Sequence, residues 1–173
     1  MLSDINFNKN YKQVLSSINL VKKKYNVKFF WIGDINQILI NKFNKLKYSL
    51  DKKNNYIFYK GLLSHKKTIN FLLESDIFLY SSHCETFGVA VLEGMASKLP
   101  IVILNHPLYH EILANNAFFF QKNNIKDLSA KIISAIEKTS KQKSFYKKNL
   151  YLLKKKYSSN KLQSHTLKYL TNF

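Results

Sequence analysis

The stretch from Glu74 to Glu111, ESDIFLYSSHCETFGVAVLEGMASKLPIVILNHPLYHE, leaves few folds open. Ile77 to Tyr80 form a short apolar run suited to a buried strand. Ser81 to Thr86 are small and polar, and they lead through Phe87-Gly88 into a segment with Val89, Leu92, Met95 and Ala96 at helical spacing. Pro100 ends that helix, and Ile101 to Leu104 make the next strand. Two strands joined through a helix by connections this short pack as a parallel crossover unit. A loop at the carboxyl end of such a strand, followed by a helix N-terminus, is where α/β folds hold anionic ligands.

The same alternation runs along most of the chain. Apolar Val14, Leu15, Ile18 and Val21 predict a helix from Tyr11 to Lys24, and VKFFWI (Val27 to Ile32) a buried strand closed by Gly33-Asp34. A second helix is expected from Asn36 to Leu50, with Ile38, Leu39, Phe43, Leu46 and Leu50 inward. Tyr56 to Tyr59 read as a strand closed by Lys60-Gly61, and Ser64 to Glu74 as a short helix. After Leu104 come a short helix (Tyr109 to Ala114), an apolar run (Phe118 to Phe120) and an amphipathic helix (Ile125 to Lys138) with Leu128, Ile132, Ile133 and Ile136 on one side. The lysine-rich segment from Lys141 to Phe173 has a helical pattern, read as two helices broken near Ser158-Ser159. Met1 to Phe7 hold the remnant of a short first strand. The expected fold class is therefore α/β: a Rossmann-like, doubly wound parallel sheet in one domain over residues 1–173, with C-terminal helices.

Composition removes several classes of function. The net charge is +18, from 28 basic and 10 acidic side chains, and every basic one is lysine. Guanine readout favours the arginine fork, so specific nucleic-acid binding is not expected. Peripheral contact with an anionic membrane stays open. Heavy use of Lys, Asn, Ile, Phe and Tyr matches an AT-rich coding bias, which weakens a functional reading of the charge. Cys84 is the single cysteine, which leaves no internal disulfide or thiolate cluster and fits a reducing compartment. The segment MLSDINFNKNYKQ lacks a signal-peptide core, and no apolar run nears the roughly 20 residues of a membrane span, so a cytoplasmic location is expected.

Candidate chemistry centres on Glu85 and Glu93, eight positions apart. Ser82-x-x-Glu85 also fits a capping box, which would leave Glu93 a solvated helix residue. Gly88 would let a diphosphate reach the amides around Thr86, Phe87, Gly88 and Val89, or would simply allow tight packing. Lys9, ahead of the first helix, could balance a leaving diphosphate from the same crevice edge. His106 and His110 are four apart but lack the zinc-protease pattern, and no metal site is expected. His83 lies beside Glu85, where it could orient a substrate. Cys84 is a poor nucleophile, because the Glu85 carboxylate next to it would raise the thiol pKa.

SDIFLYSSHCETFGVAVLEGMASKLPIV resembles the donor-binding lobe of GT-B fold glycosyltransferases, in the large retaining group 1 (family 4 type) that uses nucleotide sugars. That family shows an acidic "aD-hydrophobic-SxxE(S/T)FG" followed by "hydrophobic-EAMA-x-G-x-PVV". The matches are Ser75-Asp76, Ser81-Ser82, Glu85-Thr86-Phe87-Gly88, Glu93-Gly94-Met95-Ala96 and Pro100-Ile101-Val102, with the E-x7-E spacing met. KNYKQVLSSINLVKKKYNVKFFWIGD, YIFYKGLLS and ANNAFFFQKNNIKDLSAKIISAI resemble further family segments. The resemblance implies that Glu85 is the catalytic carboxylate beside the donor sugar. It implies a donor-binding set of Lys9, Gly33, Leu62, Ser82, Thr86, Phe87, Gly88, Val89 and Glu93. In that set Glu93 would take the ribose hydroxyls, the amides of Phe87 to Val89 the diphosphate, Lys9 the same diphosphate, and Leu62 the edge of the base. The substrate would be a UDP- or GDP-linked sugar, transferred with retention and with no metal or other cofactor, in surface polysaccharide or glycolipid synthesis.

Some positions depart from the family. Lys98-Leu99 replace the glycine after "EAMA", and His106 to Glu111 replace a glycine-rich "G-G-x-x-E" loop. No arginine precedes Lys9. The resemblance covers one lobe, with the first strand clipped and the acceptor-binding N-terminal lobe expected as a separate piece or partner chain. The alternative is a non-catalytic donor-binding lobe acting as a partner subunit or a split-gene remnant. An epimerase or phosphorylase of the same fold lacks support in its histidine-rich or pyridoxal-lysine signatures.

Overall fold

A computed structural model describes residues 1–85, 87–139 and 144–157. Its strands are β1 (Phe29–Trp31), β2 (Ile57–Tyr59), β3 (Phe78–Tyr80), β4 (Ile101–Leu104) and β5 (Phe118–Phe120). Between them lie α1 (Tyr11–Lys22), α2 (Gln37–Leu50), α3 (His65–Leu73), α4 (Val89–Ala96), α5 (Pro107–Leu113) and α6 (Ile125–Thr139), with α7 (Ser144–Tyr157) last. The proposed break near Ser158 and everything beyond it lie outside the described residues.

All pairings are parallel: β1 with β2, and β3 with β4 with β5. The segment ahead of α1 runs between the two sheets. Leu2 and Ile5 bridge in parallel to Ile32 and Ile35, while Ser81 Oγ donates to Lys9 O and His83 N–H to Asn8 O at 3.2 Å. The remnant strand is thus present as isolated bridges. Asp4 and Asn6 turn out of the apolar alternation that a full strand there would need. The chain is an α/β, Rossmann-like fold, with carboxyl ends of all strands on one edge.

Alternation along each strand sends successive side chains to opposite layers. Trp31 meets α2 through an edge contact with Phe43 at 5.9 Å, whereas Phe30 meets Phe71 of α3 at 5.4 Å. Helices α1 and α6 pack together on the α2 side, and α7 packs on α4 and α5 on the other. The buried Asp51 carboxylate accepts the N–H groups of Asn55, Tyr56 and Ile57, which shapes the entry to β2. Its pKa is lowered: burial works to raise it, and the backbone hydrogen bonds, helped by Lys47, more than offset that.

Some expectations need correction. Ile38 is 71% exposed and points away from the core, because Leu39 and Phe43 carry the buried face of α2. Val89 is exposed as well. The inward stripe of α4 is Val91, Leu92 and Met95, since the helix starts two residues later than the Phe87-Gly88 start read from the sequence. Ser82 does not cap it either: Gly88 is the N-cap, in the left-handed region at φ 73°, with no side-chain cap bond. Lys98 takes φ 57°, the conformation that favours the family's glycine.

Helix α4 sits close on β3 because Gly94 has no side chain. A Cβ there would lie 2.6 Å from the Phe78 ring, which is itself buried. An alanine at this place would force the Phe78 ring or the helix to shift. Gly94→Ala should lower stability by about 1–2 kcal/mol in urea unfolding, despite its better helix propensity. Adding Phe78→Val should turn the same alanine into a stabilising change.

Candidate functional site

The site grows from the end of β3. Phe78 and Tyr80 share the α4 face of the sheet, with rings stacked 5.9 Å apart, and Tyr109 of α5 meets Tyr80 edge-on at 6.0 Å. The chain then turns through Ser81 and Ser82, both buried. Ser82 Oγ donates to Cys84 O at 3.0 Å, and the Tyr109 hydroxyl donates to Ser82 O at 2.9 Å. These bonds order the loop and bring Glu85 back over the end of its own strand, where Ser82 also supports the carboxylate.

Glu85 Oε1 accepts from Lys9 Nζ at 2.5 Å and from the Tyr80 hydroxyl at 2.5 Å. Lys9 is also 3.4 Å from the Tyr80 oxygen and stands over the Tyr80 ring, 5.0 Å from its centre. The side chains of the ion pair are 8% and 19% exposed. Burial works to raise the Glu85 pKa, but hydrogen bonds from Lys9 and Tyr80 and the lysine charge win, so the carboxyl stays below the usual range. Burial and the neighbouring Glu85 push the Tyr80 phenol far up, which keeps its proton in place.

The first turn of α4 follows, carrying exposed Phe87 and Val89 around buried Gly88. Gly88 O accepts Val91 N–H at 2.8 Å, and no acidic side chain occupies the first turn, which leaves the positive end of the helix to solvent or ligand. Glu93 lies one turn beyond Val89 on the same helix face. It is 15% exposed, not the solvated residue of the bland reading, and its Oε1 is 3.3 Å from His65 Nε2 at the start of α3. Burial raises the Glu93 pKa, with His65 acting against it.

Gly33 and Leu62 line the same edge, where Gly33 N–H donates to Gly61 O at 3.0 Å. Leu62 is exposed, in the loop that leads to His65 and so to Glu93. At Gly33 a Cβ would lie 2.3 Å from Ser3 O, so the passing N-terminal segment already requires glycine there. Thr86 lies outside the described residues. His83 keeps a buried Nδ1 without a hydrogen bond among the described residues. His106 instead caps α5, its Nδ1 accepting Leu108 N–H at 3.3 Å, and His110 bonds Asn105 and Asn115. Among the described residues no group of His, Cys, Asp or Glu is placed to hold a metal ion.

Sequence reasoning therefore placed Lys9 and Glu85 in one crevice and missed the hydroxyl of Tyr80 and the imidazole of His65. Both arrive from residues whose local pattern says strand core or helix start.

The family model described as glycosyl transferases group 1 matches residues 1–150. The chain belongs to that family. Among curated proteins, it is 26% identical over 136 residues to alpha-monoglucosyldiacylglycerol synthase of Streptococcus pneumoniae, covering 78% of this chain and 30% of that one. It is also 26% identical over 113 residues to processive diacylglycerol alpha-glucosyltransferase of Acholeplasma laidlawii, covering 65% and 33%. The chain thus spans about a third of the length of these relatives. The fold matches the C-terminal domain of a group 1 glycosyl transferase from Francisella tularensis with a TM-score of 0.78 at 20% identity, over 90% of this chain and 84% of that one. It matches the Anabaena protein HepE, crystallised with UDP and glucose, with a TM-score of 0.78 at 17% identity, over 99% and 47%.

Within this group 1 chain the Lys9–Glu85 pair also ties the N-terminal segment to the β3 loop. Lys9→Met takes the charged partner from a largely buried carboxylate, leaving it the Tyr80 hydroxyl, and should cost about 2 kcal/mol at pH 7. A double-mutant cycle with Glu85→Gln should show coupling of about 1 kcal/mol or more in urea unfolding. Because the folded pKa of Glu85 is depressed, this stabilisation is full above the unfolded glutamate value, about 4.3, and is lost as pH falls through the folded one. That acid-side loss should shrink in Lys9→Met.

Proposed function

We propose that this chain is the donor-binding lobe of a retaining glycosyltransferase of hexosyltransferase type. It would move a sugar from a UDP- or GDP-linked donor to an acceptor in glycolipid or surface polysaccharide synthesis. The observation that carries the reading is the Lys9–Glu85 ion pair beside an α4 whose first turn has no acidic side chain, with Glu93 a turn further along. The printed activities of the relatives support it, as do the UDP and glucose in a solved neighbour.

In this arrangement the diphosphate would lie against the amides of Phe87, Gly88 and Val89, with Thr86 alongside and the helix dipole behind them. Lys9 would neutralise the charge that grows on the diphosphate as the bond from sugar C1 to phosphate oxygen breaks. The ionised Glu85 would accept from sugar hydroxyls and stabilise the positive charge developing on the ring. Glu93 would accept from both ribose hydroxyls, and Leu62 with the Gly33 edge would border the base. The acceptor oxygen would attack from a second lobe, on the same polypeptide or a partner chain, to the face the diphosphate leaves. Fixed charges and amides suffice for this chemistry, so the reading needs no metal. Lysine excess also fits work at the inner, anionic face of a membrane, from the cytoplasmic side. No helix among the described residues is long and apolar enough to cross one.

Titration calorimetry of the chain with UDP, GDP and their hexose conjugates should give binding heat for at least one. No heat and no thermal shift with any of them would sink the reading. Glu93→Ala should weaken nucleotide binding about tenfold or more, the loss of charged hydrogen bonds to two hydroxyls. Burial raises the Glu93 pKa, so wild-type affinity should fall on acidification before an ordinary glutamate near 4.3 would protonate.

A further inference from the structure

The family pattern asks only for an apolar residue at the end of β3, yet this chain has a tyrosine there whose hydroxyl enters the site. Tyr80 has little freedom: Phe78 stacks on it, Tyr109 meets it edge-on, and the side chain is buried. Its oxygen donates to Glu85 Oε1 and accepts from Lys9 Nζ, while Lys9 donates to the same Oε1. Tyr80 and Lys9 thus converge on one carboxylate oxygen from different directions. The two donors differ in their freedom to move. The phenol is fixed by its ring contacts, whereas a lysine on a flexible stem can swing towards an anion.

We propose that Tyr80 is a positioning residue: its hydroxyl holds the Glu85 carboxylate in place when Lys9 turns to the donor diphosphate. The inference rests on the donor-binding reading of Lys9 and Glu85. Without Tyr80, the departure of Lys9 would leave the largely buried Glu85 with Ser82 as its remaining hydrogen-bond support, freer to protonate or rotate away from the sugar. With it, the carboxylate keeps its charge and its aim through the change of lysine partner. The buried phenol cannot ionise near neutral pH, so it stays a donor throughout.

The test is a carbon-13 titration of the Glu85 side-chain carboxyl in the ligand-free chain, with amide spectra confirming the fold of each variant. Lys9→Met imitates the withdrawn lysine without any ligand. Tyr80→Phe should raise the Glu85 midpoint by about half a unit in the wild-type background and about one unit or more in Lys9→Met. Tyr56→Phe removes a hydroxyl bonded to Asn19 and Leu50 O, away from Glu85, and it should leave the midpoint in place. A midpoint unmoved by Tyr80→Phe in both backgrounds, or moved equally by Tyr56→Phe, overturns the proposal. In calorimetry, Tyr80→Phe should weaken UDP and UDP-glucose alike by about threefold to tenfold, because either diphosphate draws Lys9 from a Glu85 that Tyr80 no longer holds. Affinity for UDP and for UDP-glucose both unmoved by Tyr80→Phe would overturn the positioning role. If wild-type protein binds neither UDP nor UDP-glucose while the titration shifts as expected, the failure belongs to the donor reading, and the hold of Tyr80 on Glu85 stands.

Discussion

An ammonium and a carboxylate 2.5 Å apart, both largely withdrawn from water, join the N-terminal segment to the loop after β3. Much of the crevice depends on that contact. Lys9 stands at the end of a one-turn 3-10 helix (Phe7–Lys9), whose Lys9 and Asn8 carbonyls accept from Ser81 and His83, so the pair also closes the gap between the two sheets. A buried ion pair stabilises little beyond what an apolar pair would, because desolvation consumes most of the attraction. On the proposed donor-binding reading, its use would be to keep two opposite charges ready near the start of α4, each exchanging its partner for a ligand group.

The packing beneath serves the same end. Phe78 takes the space that a side chain at position 94 would fill, which lets α4 lie directly on β3. That closeness sets Glu93 and the first turn of α4 at a fixed height above the strand ends. Tyr80, two residues along, then shares the same face and comes within reach of Glu85. One glycine and one aromatic pair thus connect the core to the chemistry of the edge.

The alternation of apolar runs and helical spacing made the fold readable, and strand positions hold to within two or three residues, as with Val27 to Ile32 against β1. Helix faces were read less well where exposure decides. Val89 and Ile38 are apolar but lie on the open side, and periodicity counts an exposed apolar residue as a buried one. The capping reading of Ser82 and Glu85 failed for a related reason. It used local spacing alone, while Glu85 is claimed by Lys9, 76 residues earlier.

The sequence by itself determined the layers of the fold, the family pattern and the identity of both glutamates, because these are written in local spacing and residue type. Tertiary structure decided who holds them. Lys9 and Tyr80 converge on Glu85, and His65 faces Glu93, only because parallel strands bring their carboxyl ends to one edge. A long-range meeting of this kind leaves no trace in the periodicity of any one segment. Each side chain looks ordinary along its own strand or helix and gains its meaning from a neighbour distant in the chain.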